Sequence, residues 1–159
     1  MQYRRSKTLG TTFFFTVVTY RRNKILCHET NVALIKEAFL QVTTHHPFRN
    51  RAFVLLPDHI HCLWTLPEDD NNYSMRWQLI KSYFSRRCQN KYKSAQTASR
   101  LNKGEQGIWQ RRFWEHRIRD ENDLAEFKPL CPPMTGRLCT DGSFSKELAK
   151  FLIFAKLTT

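Results

Sequence analysis

The chain has no C-x-x-C pair. Its five cysteines, Cys27, Cys62, Cys88, Cys131 and Cys139, are odd in number and irregular in spacing. That argues against a zinc ribbon and against a disulfide framework, and it makes reduced thiols in a cytosol the expectation. Long apolar runs are missing too. Thr11 to Val18 is too short to cross a bilayer. After the basic start Met1-Gln2-Tyr3-Arg4-Arg5, polar residues interrupt any signal-peptide core. There is no internal repeat. Acidic residues are scarce: 14 Asp and Glu stand against 26 Lys and Arg, a formal net charge of +12. Such a balance points to a polyanionic partner, nucleic acid first. No tyrosine, histidine or tryptophan occurs after His116.

What is present reads as one folded domain. Of 159 residues, 41% are hydrophobic and 13% aromatic, enough to build a core and too many for a disordered chain. Phe13 to Tyr20, aromatic and β-branched, predicts a strand. Thr30 or Asn31 can cap a helix whose Val32, Ile35, Phe39 and Val42 fall at helical spacing. Arg51 to Leu56 and His59 to Leu66 predict two strands joined at Pro57-Asp58. Ser74 can cap a second helix with Trp77, Ile80, Phe84 and Cys88 as its buried stripe. From Asn90 to Gly107 the composition turns to Lys, Ser, Gln, Asn and Gly, the mark of a mobile loop. Ile108 to Ile118 predicts a fourth strand, and Asp120 caps a helix start running to Phe127. The order β-α-β-β-α-β predicts an α+β fold of ferredoxin-like type, an antiparallel sheet with helices on one face.

Two stretches carry chemistry. In Pro57-Asp58-His59-Ile60-His61-Cys62-Leu63-Trp64, two histidines stand at i and i+2 of a strand, so both imidazoles project from one face. That is a chelating pair for a divalent ion. Beside a DNA phosphate, magnesium or manganese fits, polarising the phosphate as a Lewis acid. A third protein ligand has to come from elsewhere; Glu115 and His116 are the nearest candidates, although Glu115 is more often an ion-pair partner for arginine. The second stretch, Ile108 to Arg119, holds four arginines and three aromatics. Arginine neutralises phosphate and aromatic faces stack on unpaired bases. Some of these aromatics belong to the core; Arg111, Arg112, Arg117 and Arg119, with Trp114, are assigned to DNA. Arg4, Arg5, Arg21 and Arg22 around the first strand, and Lys81, Arg86 and Arg87 on the second helix, extend that basic set. Each group alone is an ordinary solvated surface; with the fourth strand they predict a groove for single-stranded or hairpin DNA.

Taken together, Tyr3-Arg4-Arg5, Phe13-Phe14-Phe15-Thr16 with Arg21-Arg22, the run Val54 to Pro67, Arg76-Trp77 through Phe84, and Trp109 to Arg119 resemble the REP-associated tyrosine transposases, a branch of the HUH single-strand DNA transposases. The resemblance runs from about Tyr3 to Phe127. It implies a ferredoxin-like sheet carrying His59 and His61 on a central strand as ligands of Mg2+ or Mn2+, hairpin DNA as partner, and a bacterial cytoplasmic setting. It further implies DNA cleavage and joining through a 5′-phosphotyrosine. In the family the tyrosine sits on a C-terminal helix, and an asparagine or glutamine one turn later completes the metal site.

The pattern stops at residue 127. Residues 1–127 are read as the DNA-binding domain and 128–159 as a tail outside the family pattern. Pro129, Pro132 and Pro133 break any continuing helix, and no tyrosine follows Phe127. The tail reads like translation in another frame, so the other frame past Phe127 is expected to restore a tyrosine-bearing helix. Covalent catalysis is accordingly expected to be lost, since no catalytic nucleophile can be assigned. The alternative is a nucleic-acid-binding module of similar topology without metal; a glycine-aromatic RNA-recognition signature is missing.

Overall fold

The structure, a computed structural model, describes residues 11–127, 129 and 130. Arg4, Arg5 and nearly all of the 128–159 tail lie outside the described residues. The elements are β1 (Thr12–Val18), α1 (Glu29–His45), β2 (Arg49–Leu56), β3 (His59–Thr65), α2 (Tyr73–Arg87), α3 (Ala98–Leu101), β4 (Trp114–Arg117) and α4 (Glu121–Phe127). The strands form one sheet in the order β2-β3-β1-β4, every neighbouring pair antiparallel. This is the α+β, ferredoxin-like arrangement expected from the order of elements.

Strand periodicity sorts the side chains. β1 sends Phe13, Phe15 and Val17, and β3 sends Ile60, Cys62 and Trp64, into one large core. The stripe Val32, Ile35, Phe39 and Val42 of α1 and the stripe Trp77, Ile80 and Phe84 of α2 complete it. Trp64 stacks on Trp77 with centroids 4.5 Å apart and planes 14° from parallel. Such pairs add about 0.5–1.5 kcal/mol beyond the area they bury.

Local departures from expectation have physical causes. α1 starts at Glu29 after His28, so neither Thr30 nor Asn31 caps it. Asn31 is buried in the first turn, where its Nδ2 donates to the Ile25 carbonyl at 2.7 Å. α2 is capped by Asn72, whose Oδ1 accepts from Met75 N, rather than by Ser74. Asp120 does cap α4, accepting from Asp123 N at 2.9 Å. β4 spans only Trp114–Arg117. Upstream, Trp109 makes an isolated bridge to Thr19, and the segment between bulges away from β1. Residues 90–107, read from composition as a mobile loop, include a 3-10 turn (Asn90–Tyr92) and α3. Asn23 Nδ2 donates to Ser94 Oγ, and Ser94 N donates to the Gly107 carbonyl. Gly107 has φ +68°, and a Cβ there would lie 2.1 Å from Gln96 Nε2, so the turn needs glycine.

Cys62 and Cys88 are buried free thiols. Cys27 is disulfide-bonded, which corrects the expectation of reduced thiols at that position.

Candidate functional site

β3 lies between β1 and β2, so its outward residues are held on both sides. In register, His59 faces Val18 of β1 and Leu56 of β2, and His61 faces Thr16 and Val54. Their rings approach to 4.7 Å between centroids, 78° from parallel. Each ring is tethered through Nδ1, His59 to Asp58 Oδ1 at 2.6 Å and His61 to Thr16 Oγ1 at 2.9 Å. Tethering at Nδ1 fixes the ring plane and makes Nε2 the nitrogen that could ligate, the usual division of labour in metal-binding histidines.

Asp58 is itself positioned. Its backbone carbonyl accepts from Thr19 N and Thr19 Oγ1, and Arg22 Nη1 reaches its second carboxylate oxygen at 3.2 Å. Partial burial pushes the Asp58 carboxyl up. The hydrogen bonds from His59 and Arg22 outweigh that and hold it below the ordinary carboxylate value. Burial and the neighbouring His59 drop the His61 imidazole to about 4, against a weaker raising contribution from the Phe15 backbone. His61 is therefore neutral at physiological pH, the form that binds a metal ion.

The pair fits a divalent ion as two ligands of a larger set. Among the described residues no group of three His, Cys, Asp or Glu side chains surrounds a common point. The candidate replacements are engaged elsewhere. Glu115 faces Phe15 on the core side of the sheet and accepts from Tyr73 OH at 3.0 Å. His116 shares the imidazole face, but its Nε2 bonds both oxygens of Asp123, at 2.8 and 3.0 Å.

The same face carries a second, smaller apolar cluster of Phe14, Ala52, Val54 and Leu63, covered by Ile118 and by Leu124 and Phe127 of α4. Phe127 stacks on Phe14 at 4.6 Å, and Phe14 stacks on His61 at 5.4 Å. Trp114 lies on this face, 47% exposed and stacked on His116.

The cationic residues separate into two sets. Arg21 and Arg22 follow β1 at the Asp58 end, both with left-handed backbone (φ 54° and 53°). Arg112 and Arg119 are exposed around β4; Arg117, also exposed, pairs with Phe13 and so leaves from the helical side of the sheet, as Glu115 does, and not from the imidazole face to which it was assigned. Lys81, Arg86 and Arg111 instead line a cavity between α2 and the segment 103–111, so the basic set does not converge on a single groove. Arg87 lies over the Tyr83 ring at 3.7 Å. Arg76, which the periodic pattern left unremarked, is only 1% exposed. It donates to the His46, Pro47 and Asn72 carbonyls and to Asp70.

The described tyrosines are occupied. Tyr73 bonds Glu115 and Tyr83 bonds Glu37. Tyr92 stacks on His28, and Tyr20 lies under Arg21 and Arg100. No helix of the described residues is long and apolar enough to cross a membrane.

Residues 9–125 match the family model for IS200-like transposases. Over 123 residues the chain is 42% identical to a protein of Haemophilus influenzae described as a REP-associated tyrosine transposase, covering 77% of this chain and 69% of that protein. It is 40% identical over the same length to the REP-associated tyrosine transposase of Escherichia coli K12, covering 77% and 64%. A solved REP-associated tyrosine transposase bound to a REP hairpin superposes with a TM-score of 0.62 at 36% identity, over 82% of this chain and 73% of that one. A transposase-like protein from Deinococcus radiodurans R1, 14% identical with a TM-score of 0.51 over 82% of this chain and 95% of that one, shares the fold. A two-layer sheet with paired imidazoles on its open face, joined to these identities, makes this chain a member of the IS200-like transposase family, in the branch of the REP-associated tyrosine transposases.

Proposed function

We propose that the chain binds REP-type DNA, as a hairpin or single strand, on the open face of the sheet, with Mg2+ or Mn2+ held between His59 and His61. The observation that carries this reading is the imidazole pair itself: two rings 4.7 Å apart, each anchored through Nδ1. A hairpin-bound relative at 36% identity supports the choice of DNA. When bound, the ion supplies Lewis-acid polarisation of a phosphate oxygen. The protein's own part is to keep His61 neutral, to hold both rings aimed through Asp58 and Thr16, and to neutralise flanking phosphates with Arg21, Arg22, Arg112 and Arg119. Trp114 offers a face for an unpaired base.

The family reaction is strand cleavage and joining through a tyrosine. We infer that it is lost in this sequence, since no tyrosine occurs from 128 to 159 and the described tyrosines are engaged elsewhere. Covalent catalysis needs a nucleophile in line with the leaving oxygen. An end-labelled REP hairpin incubated with protein and manganese is expected to be retained in a native gel and to run free in a denaturing one. A protein–DNA adduct that survives denaturation overturns the inactive reading. A second reading, DNA binding without metal, is favoured by the missing third ligand among the described residues. Manganese titration by calorimetry separates the two: heat that vanishes in His59→Ala/His61→Ala supports the metal site, and no heat in the parent protein supports the metal-free module.

A further inference from the structure

The turn after β1 is fastened to Asp58, and it delivers a cation to a carboxylate that already serves a histidine. Arg21 and Arg22 are consecutive residues with left-handed backbone, φ 54° and 53°. Residues with a Cβ rarely adopt that conformation and keep it where the surroundings impose it. Here the imposing residue is Thr19, fully buried just past β1. Its carbonyl accepts from Arg22 N at 3.2 Å, and its N–H donates to the Asp58 carbonyl at 2.9 Å. Its hydroxyl lies within reach of the Asn23 and Asp58 carbonyls, at 2.9 and 3.0 Å. The two oxygens of the Asp58 carboxylate are then held unequally. Oδ1 meets His59 Nδ1 at 2.6 Å, between side chains that are only 17% and 20% exposed. Oδ2 meets Arg22 Nη1 at 3.2 Å, from a side chain that is 64% exposed. The first bond is short and shielded. The second is long and open to solvent, and exposed pairs of that kind contribute little. A DNA phosphate, which can accept two parallel bonds from a guanidinium, outcompetes it.

We propose that Arg22 is a positioning residue that couples the two ligands of the open face: it rests on Asp58 in the free protein, moves to a phosphate when DNA binds, and so makes divalent-ion and DNA binding reinforce each other. The inference rests on the DNA and metal reading above and adds a linkage to it. The cause runs through one carboxylate. While Arg22 is paired, the guanidinium neutralises part of the Asp58 charge. Once a phosphate takes Arg22, that charge acts on His59 Nδ1 alone. An imidazole whose Nδ1–H is bonded to an unshared carboxylate is the stronger donor at Nε2. The Asp58 backbone has no need to move, because Thr19 holds it. His61 takes no part, since its tether, Thr16 Oγ1, is uncharged. Linkage requires the reverse effect by the same factor, so an ion at the imidazole pair strengthens DNA binding.

The test is calorimetric titration of Mn2+ without DNA into the parent, Arg22→Gln and Arg21→Gln, with circular dichroism melts as the check on folding. Arg21 controls for plain charge, since it sits on the same turn but over the Tyr20 ring at 5.3 Å. Arg22→Gln is expected to bind Mn2+ roughly three- to tenfold more tightly than the parent, and Arg21→Gln within about twofold of it. Anisotropy of a labelled REP hairpin, with and without Mn2+, gives the second readout. Mn2+ should tighten the parent's hairpin binding. In Arg22→Gln that tightening should be smaller by the factor gained in the first titration, because Asp58 is already unshared in the variant. If Arg22 merely holds Asp58 in place, Arg22→Gln binds Mn2+ more weakly than the parent, and the proposal falls while the metal reading stands. Equal changes in the two variants, or an unchanged Mn2+ effect on hairpin binding in Arg22→Gln, also overturn it. A parent that does not bind Mn2+ ends the metal reading, one that does not bind the hairpin ends the DNA reading, and the coupling falls with either.

Discussion

The two faces of the sheet are built from alternate residues of the same strands, and they are organised oppositely. The helical face is a continuous aromatic core, with Phe13, Phe15, Trp64, Tyr73, Trp77 and Phe84 all at 1% exposure or less. The open face has a four-residue apolar patch, one short helix as cover, and two imidazoles alongside. Burial on both sides of a strand would leave no room for a polyanion, whereas one dense face frees the other to carry chemistry. The sequence His59-Ile60-His61-Cys62-Leu63-Trp64 does both jobs in six residues. Its odd positions build the site and its even positions build the core.

The comparison breaks if the faces prove equally sensitive to truncation. Trp64→Ala removes the ring that touches Trp77, Phe15, Phe39 and Phe48. It is expected to cost about 3–5 kcal/mol in urea unfolding followed by circular dichroism. A loss under about 1 kcal/mol would mean that the helical face is not the keystone.

The Asp70–Arg76 pair sharpens the same contrast, since it holds the guanidinium that clamps α2 to the chain entering β2 through the His46 and Pro47 carbonyls. Arg76 beside it holds the Asp70 carboxyl below its ordinary 3.8, against partial burial, with help from the Asn72 backbone. A carboxyl lowered on folding binds fewer protons in the folded state. Its contribution is therefore complete above pH 3.8 and is lost as pH falls through the lower folded value. Asp70→Asn is expected to cost about 1–3 kcal/mol at pH 7, because Arg76 keeps its three carbonyl partners. The variant's stability should then vary less with pH below 4 than the parent's. A pH profile parallel to the parent's would show that the pair is not what Asp70 contributes. Gly107→Ala belongs next in size. At φ +68° with Gln96 in the way, it is expected to lower the melting temperature by several degrees, on the order of 1–3 kcal/mol. A melt unchanged from the parent would show that the 90–107 segment is not held by that turn.

Much of this was legible in the chain because periodicity is a local property. The strand spacing of His59 and His61 and the helical spacing of Val32, Ile35, Phe39 and Val42 each decide a face without reference to anything distant. The parts that were not legible depend on distant partners. Nothing in the local pattern marks Arg76 as buried; the fold does, by bringing the distant His46 and Pro47 carbonyls onto its guanidinium. Asn72 caps α2 one position ahead of the helix, where Ser74 two residues later looked equally able. The fourth strand read as eleven residues because Ile108 to Ile118 is uniformly aromatic and basic, yet only four pair with β1 as a named strand. Lys81, Arg86 and Arg111 could not be separated from Arg22 by composition, since only the path of the chain puts them on different layers.

Trp114 provides the finest test, because it predicts a small effect on one property and a clear one on another. It is the open face's large exposed ring, touching Phe14 edge-on at 6.0 Å and His116 flat at 5.8 Å. Truncating it empties no core cavity, so Trp114→Ala is expected to change unfolding free energy by no more than about 0.5–1 kcal/mol. Stacking of an unpaired base on an aromatic ring is worth about 1–3 kcal/mol, so single-stranded binding should weaken by a factor on the order of ten or more. Trp114→Phe keeps a π-face and should recover most of that loss. If instead Trp114→Ala destabilises the fold as much as Trp64→Ala while leaving DNA affinity intact, the ring is a core residue and the contrast between the faces is gone.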